Sequence, residues 1–145
     1  SEIGQKIIKD MNDGKFVNDE IVNKLIKNVI FDSKKKDKLI FDGYPRSLMQ
    51  AKNLDFLMLE SKQKINFIFF LNVNKETIIQ RIEKRKILEK RTDDELNTIL
   101  KRYDTYMETT KPVLDFYSKN PNFYEIDGSL EINEITAKID AFLNV

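Results

Sequence analysis

Apolar residues recur along the chain first at helical spacing and then in short continuous runs, and this alternation predicts the elements. Ile3, Ile7, Ile8 and Met11 fall three or four apart, which predicts a helix over residues 1–13 that Gly14 is placed to stop. Ile21, Val22, Leu25, Ile26 and Val29 predict a second helix from about Asp19 to Ile30. The polar run Ser33 to Lys38 leads into an apolar ramp, so Lys38 to Asp42 reads as a short buried strand. Ser47 with Gln50 has the spacing of a capping box for a helix through about Leu59. Ile65 to Leu71 is almost unbroken in apolar character, which predicts a strand covered on both faces. A helix follows from Asn74 to about Arg85. Thr92 with Glu95 repeats the capping box for a long helix towards Tyr117, which Pro112 should kink or break near Lys111. Asn122 to Ile126 reads as a third strand, Asp127-Gly128 as a turn, and Ile132 to Leu143 as a closing helix.

Strands that alternate with helices predict an α/β fold, a parallel sheet with helices on both faces. No linker, repeat or low-complexity segment interrupts the 145 residues, so a single domain is expected. In such sheets ligands bind beyond the carboxyl ends of the strands. Asp42-Gly43-Tyr44-Pro45-Arg46 lies past the first expected strand and Asp127-Gly128 past the third. Taken separately, Gly43 and Pro45 read as a plain strand-to-helix turn.

Composition narrows the chemistry. The chain is 41% hydrophobic and 34% charged, ordinary for a globular domain, and contains no cysteine and no histidine. That excludes a disulfide framework, a thiolate metal site and the usual general base. Chemistry must rest on arginine, lysine, aspartate, backbone groups or a hard cation. The 25 basic residues are balanced by 24 acidic ones, so the net charge of +1 gives no whole-molecule argument for nucleic acid, and none is expected as a partner. No apolar run approaches the ~20 residues of a membrane helix, and no leader pattern opens the sequence, which points to a cytoplasmic protein without a membrane partner.

The arginines say more. Lysine dominates the basic residues, and the five arginines, Arg46, Arg81, Arg85, Arg91 and Arg102, all lie in the middle of the chain. The guanidinium fork grips phosphate through two parallel hydrogen bonds, which lysine cannot do. Arg81 and Arg85 share one helix face, as do Asp94 and Arg102. Asp93 and Asp94 either suit the positive end of a helix or orient the neighbouring guanidinium groups. Scattered surface charge is the alternative for any one arginine. Together they point to a polyanion such as a nucleotide phosphate, and to phosphoryl transfer, which needs positioning and charge stabilisation more than a base or nucleophile.

Phe41-Asp42-Gly43-Tyr44-Pro45-Arg46, Gln50, Arg81-x-x-x-Arg85, Arg91-Thr92-Asp93-Asp94, Arg102 and Ile126-Asp127-Gly128 together resemble the adenylate kinase family, through essentially all of the chain. Gly14-Lys15-Phe16-Val17-x-Asp19-Glu20-x-Val22 also resembles its monophosphate-binding segment. The resemblance implies a nucleoside monophosphate kinase-like fold of P-loop NTPase architecture. About residues 1–30 would belong to the AMP-binding part and 31–145 to the core, with a short lid connection at 86–90. It implies ATP + AMP = 2 ADP with Mg2+, in a cytoplasmic monomer without zinc.

Carried over, Arg46 would grip the AMP phosphate and Gln50 the adenine edge, with Lys15, Phe16, Val17, Gly43, Tyr44 and Pro45 lining that site. Arg81 and the backbone at Gly128 to Leu130 would meet the ATP adenine, and Arg85 its phosphates. Arg91 and Arg102 would bridge the two nucleotides, Asp93 and Asp94 would orient the arginines, and Asp42 would hold the magnesium through water.

Two features depart from the family pattern. The four glycines, Gly4, Gly14, Gly43 and Gly128, cannot form a G-x-x-x-x-G-K-[ST] phosphate loop, which the family carries on a central strand nearer the amino terminus. The sequence is therefore expected to be part of a longer polypeptide and to be inactive alone. The five residues Lys86 to Lys90 match short-lid members, or equally a chain from which a longer lid between Arg85 and Arg91 is missing. A UMP/CMP kinase has a similar arginine set, but the side-chain amide of Gln50 favours adenine. A non-catalytic nucleotide-binding module or degenerate kinase is the reading from another class, and a structural α/β domain the third.

Overall fold

The computed structural model describes residue 5, residues 19–89 and residues 96–144. These fall into two compact units, divided after Ile65.

In the first unit, helix α1 (Asp19–Ile30) and helix α2 (Leu48–Glu60) supply the core. Asp19 and Glu20 open α1 and Lys27 closes it, each suited to the helix dipole at its end. The apolar face delivers Ile30, only 1% exposed, onto Leu54, Leu57 and Met58 of α2. Burial of such side chains is the main stabilising contribution, about 1.5–3 kcal/mol each. Ile26, Leu39, Phe41, Tyr44 and Ile65 close around this cluster. Ser47 caps α2, its hydroxyl accepting from the Gln50 N–H at 3.2 Å. The Gln50 side chain does not complete the capping box on Ser47. Its carbonyl oxygen accepts from the Arg46 N–H at 2.8 Å instead.

The segment 38–42 forms no strand. A strand exists through its ladder, and among the described residues no strand pairs with this one. Leu39 and Phe41 still reach the core, whereas Ile40 is 95% exposed. The apolar ramp therefore reports side-chain burial on one side and no pairing.

The second unit carries a parallel pair, β1 (Ile68–Asn72) and β2 (Phe123–Asp127), in register from Ile68 opposite Phe123 to Asn72 opposite Asp127. Helices α3 (Lys75–Glu89) and α4 (Leu96–Tyr117) make the crossover that parallel strands require, and α5 (Ile132–Leu143) follows β2. One sheet face is an aromatic ladder: the Phe69 ring lies 5.9 Å from Tyr124 and 5.7 Å from Phe142 of α5, with Tyr124 and Phe142 4.2 Å apart. On the other face Phe70 stacks on Phe123 at 6.5 Å.

No residue of β1 is fully buried, so the strand is half-covered rather than enclosed on both faces. Its apolar run reflects a sheet position with only one paired neighbour among the described residues. Pro112 does not end α4, which continues to Tyr117 because Val113 and Tyr117 are buried beyond it. The Thr92 and Glu95 cap expected for this helix, and nearly all of the helix expected over 1–13, lie outside the described residues. Among the described residues no helix is long and apolar enough to cross a membrane.

Gln63 closes the first unit. Its amide donates to the Ile30 carbonyl at 2.9 Å and to the Ser61 hydroxyl at 3.1 Å, and accepts from the N–H of Asp37, whose φ is +59°. Gln63→Leu would leave the Ile30 carbonyl and the Asp37 N–H without this partner. It should lower unfolding stability by roughly 2–4 kcal/mol, read as a shifted midpoint in urea denaturation.

Candidate functional site

The residues singled out in the sequence divide between the two units. Asp42, Gly43, Tyr44, Pro45, Arg46 and Gln50 belong to the first, Arg81, Arg85, Gly128 and Leu130 to the second. Lys15, Phe16, Val17, Arg91, Asp93 and Asp94 lie outside the described residues. Arg102 is placed by its backbone within α4.

In the first unit the loop from Asp42 to Arg46 folds back on itself. Gly43 takes φ +69°, a left-handed conformation that other residues adopt at a cost. Its carbonyl accepts from Arg46 Nε at 2.6 Å. A Cβ on Gly43 would stand 3.0 Å from Arg46 Nη2, at the tip of a side chain that would have to shift, so the backbone angle is what calls for glycine. The Tyr44-Pro45 peptide is cis. With Nε held, the terminal nitrogens of the exposed Arg46 form the fork that a phosphate would meet. Tyr44 packs its ring 6.0 Å from Phe41 and donates its hydroxyl to the backbone carbonyl of Gln50 at 3.3 Å. Burial pushes its phenol pKa up. A hydrogen bond with Asn53 pulls it down, and the charge of Asp19 adds to the rise.

Gln50 is the other fixed point. Only 8% exposed, it uses both ends of its amide: the oxygen takes the Arg46 N–H, and the nitrogen donates to Asp19 Oδ1 at 2.7 Å. Sequence reasoning left out this second bond. Asp19 stands 31 residues away and reads locally as a first-turn acid, so no local signal pairs the two. One turn further along, Asn53 donates to Asn23 at 3.1 Å and makes a second rung between α1 and α2.

In the second unit the end of β2 builds a smaller constellation. Gly128 donates its N–H to the Asn72 carbonyl at 2.8 Å. A Cβ there would collide with Val73 and crowd the Asn72 carbonyl, so only glycine fits. The Asp127 carboxylate accepts from the Ser129 N–H at 2.9 Å and from its hydroxyl at 2.5 Å. Arg81 donates from Nη2 to the Leu130 carbonyl at 3.4 Å. The structure thus gathers Arg81 with the Gly128 to Leu130 backbone. The Ser129 hydroxyl and N–H hold the Asp127 pKa below the usual carboxylate value, helped by Lys138 and Arg81.

The donor chemistry for a metal is limited to oxygen, and among the described residues no three acidic groups converge on one point. Asp42 is an exposed carboxylate at the mouth of the arginine loop. A single carboxylate fits a magnesium ion that keeps most of its waters and is otherwise held by phosphates.

The family model described as "Adenylate kinase" matches residues 1–122. An adenylate kinase from Pelagibacter ubique (strain HTCC1062) is 44% identical over 171 residues, spanning 100% of this chain and 80% of that protein. One from Mycoplasma capricolum subsp. capricolum is 35% identical across 99% of this chain and 79% of its own length. One from Caulobacter sp. (strain K31) is 34% identical across 100% and 77%. The 171 positions matched in the Pelagibacter protein exceed this chain's 145 residues by 26, so that relative carries residues this chain lacks, whereas the Caulobacter match is 145 residues long.

Two outcomes test this geometry. Gly43→Ala should displace the Arg46 guanidinium and strain the loop, lowering the melting temperature by several degrees for a cost of about 1 kcal/mol. The depressed Asp127 pKa contributes stability that is complete above the carboxyl's unfolded pKa and is lost as pH falls through its folded one. Ser129→Ala should raise the Asp127 pKa and move that loss to higher pH, followed by NMR titration of the carboxyl carbon.

Proposed function

Because the chain belongs to the adenylate kinase family, we propose that it serves reversible phosphoryl transfer, ATP + AMP = 2 ADP, with magnesium. The observation that carries this reading is the Gly43–Arg46 loop: a guanidinium anchored through Nε presents its terminal nitrogens as a ready phosphate fork beside a buried side-chain amide. Arg46 would bind the AMP phosphate, and Gln50 would face the adenine edge, with Lys15, Phe16, Val17, Gly43, Tyr44 and Pro45 lining that site. Arg81 and the Gly128 to Leu130 backbone would hold the ATP adenine. Arg85 would bind the ATP phosphates, and Arg91 and Arg102, oriented by Asp93 and Asp94, would offset charge on the group in transit.

Asp42 would hold magnesium through its water shell. When bound, the ion would neutralise phosphate charge and orient the oxygens. The protein's own contribution is positioning and fixed positive charge, with no protein base or nucleophile required. Side-chain amide and adenine match as donor to acceptor and acceptor to donor, which favours AMP over UMP and CMP. On this reading the protein would act as a cytoplasmic monomer on ATP, AMP and ADP.

A coupled ATP + AMP assay on the full-length protein tests the reaction, with CMP and UMP as competing acceptors. AMP turnover supports the reading, and faster turnover of UMP or CMP would replace it with a pyrimidine kinase. Nucleotide binding without turnover would point to a binding module. Arg46→Lys keeps the charge and loses the fork, so AMP affinity should fall by roughly 10- to 100-fold, equivalent to about 1–3 kcal/mol, with the KM for ATP nearly unchanged.

A further inference from the structure

We propose that Asp19 is a positioning residue that sets base selectivity, by fixing which end of the Gln50 amide is oxygen and which is nitrogen. The inference rests on the reading of Gln50 as the group that faces the base. A primary amide has two acceptor lone pairs and two N–H donors, and it can turn over to exchange them. Here one lone pair receives the Arg46 N–H and one N–H goes to Asp19 Oδ1. One acceptor position and one donor position remain, in a fixed order.

Turning the amide over would set its oxygen against the Asp19 carboxylate and its nitrogen against the Arg46 N–H. Both contacts would then be mismatched. An ionised carboxylate accepts only, so Asp19 cannot follow the reversal as an amide or hydroxyl could. The backbone N–H of Arg46 imposes the same order from the other side. The Asn53 to Asn23 bond, one turn along both helices, is a separate contact that touches neither the amide nor the carboxylate.

Adenine presents an acceptor at N1 beside a donor at N6. Hypoxanthine presents the reverse, a donor at N1 beside an acceptor at O6. An amide locked in one order serves the first and opposes the second. Without the Asp19 carboxylate a turned amide is opposed by the Arg46 N–H alone, so the order that serves hypoxanthine costs less. The predicted consequence is selectivity for AMP over IMP that depends on a residue with no required contact to the base.

The test is calorimetric titration of AMP and of IMP into the full-length protein, with thermal melts to verify folding. Asp19→Asn, of the same size but able to donate or accept, should reduce the AMP-to-IMP affinity ratio by about tenfold, partly through tighter IMP binding. Asn23→Ala, which removes only the second rung, should leave the ratio unchanged. An unchanged ratio in Asp19→Asn together with a lost ratio in Gln50→Leu overturns the role of Asp19 and leaves Gln50 as the base reader. An unchanged ratio in Gln50→Leu, or no preference in the unaltered protein, overturns the base reading and this inference with it. A ratio that falls equally in Asn23→Ala assigns the effect to helix packing and overturns the specific role of Asp19.

Discussion

A buried side-chain amide must place its oxygen and its nitrogen against partners of opposite kind, and the first unit is organised by two glutamines under that requirement. Gln50 and Gln63 are its buried polar side chains among the described residues. Each reaches from α2, or the loop behind it, to α1: Gln50 to Asp19 at the start of that helix, Gln63 to the Ile30 carbonyl at its end. The apolar cluster of Ile30, Leu54, Leu57 and Met58 supplies attraction without direction. The amides supply direction, because hydrogen bonds weaken steeply away from linear geometry. Between them they set how far along its axis α1 can slide, and so where the arginine loop, which packs Phe41 and Tyr44 on the same cluster, comes to rest.

The second unit meets its constraints differently. Among the described residues its sheet has two strands of five residues each, and the aromatic ladder from Phe69 through Tyr124 to Phe142 ties one face of it to α5. At the carboxyl end, Gly128 lets the chain pass within hydrogen-bonding distance of Asn72 where any side chain would strike Val73. The turn that follows presents the Leu130 carbonyl to Arg81. Close approach of backbone to backbone is thus what brings the arginine of α3 to the end of β2.

Much of this was legible in the residues. The periodic helices α1 and α5 occupy the spans their apolar spacing implies, because an amphipathic face is a local property. The cap at Ser47 was visible for the same reason. Strand pairing was not local. Lys38 to Asp42 has the apolar character of a strand and forms none, and Ile65 to Leu71 overstated how well β1 is covered. Pro112 was read from its own chemistry, which predicts a break, whereas burial of Val113 and Tyr117 carries the helix through. In the site, the arginines and glycines stood out by type and position. The Gln50 to Asp19 bond did not, since it spans 31 residues and joins two side chains that each have an ordinary local explanation.

The bond from Arg46 Nε to the Gly43 carbonyl carries a thermodynamic consequence. A free arginine has on the order of 2 kcal/mol of rotamer entropy to lose when it clamps an anion. In the role proposed for Arg46, much of that freedom would already be surrendered on folding, so an arriving phosphate would have less disorder to remove. The entropic penalty would shift from ligand capture to the formation of the loop, and the glycine that permits the contact would become, in effect, a determinant of affinity.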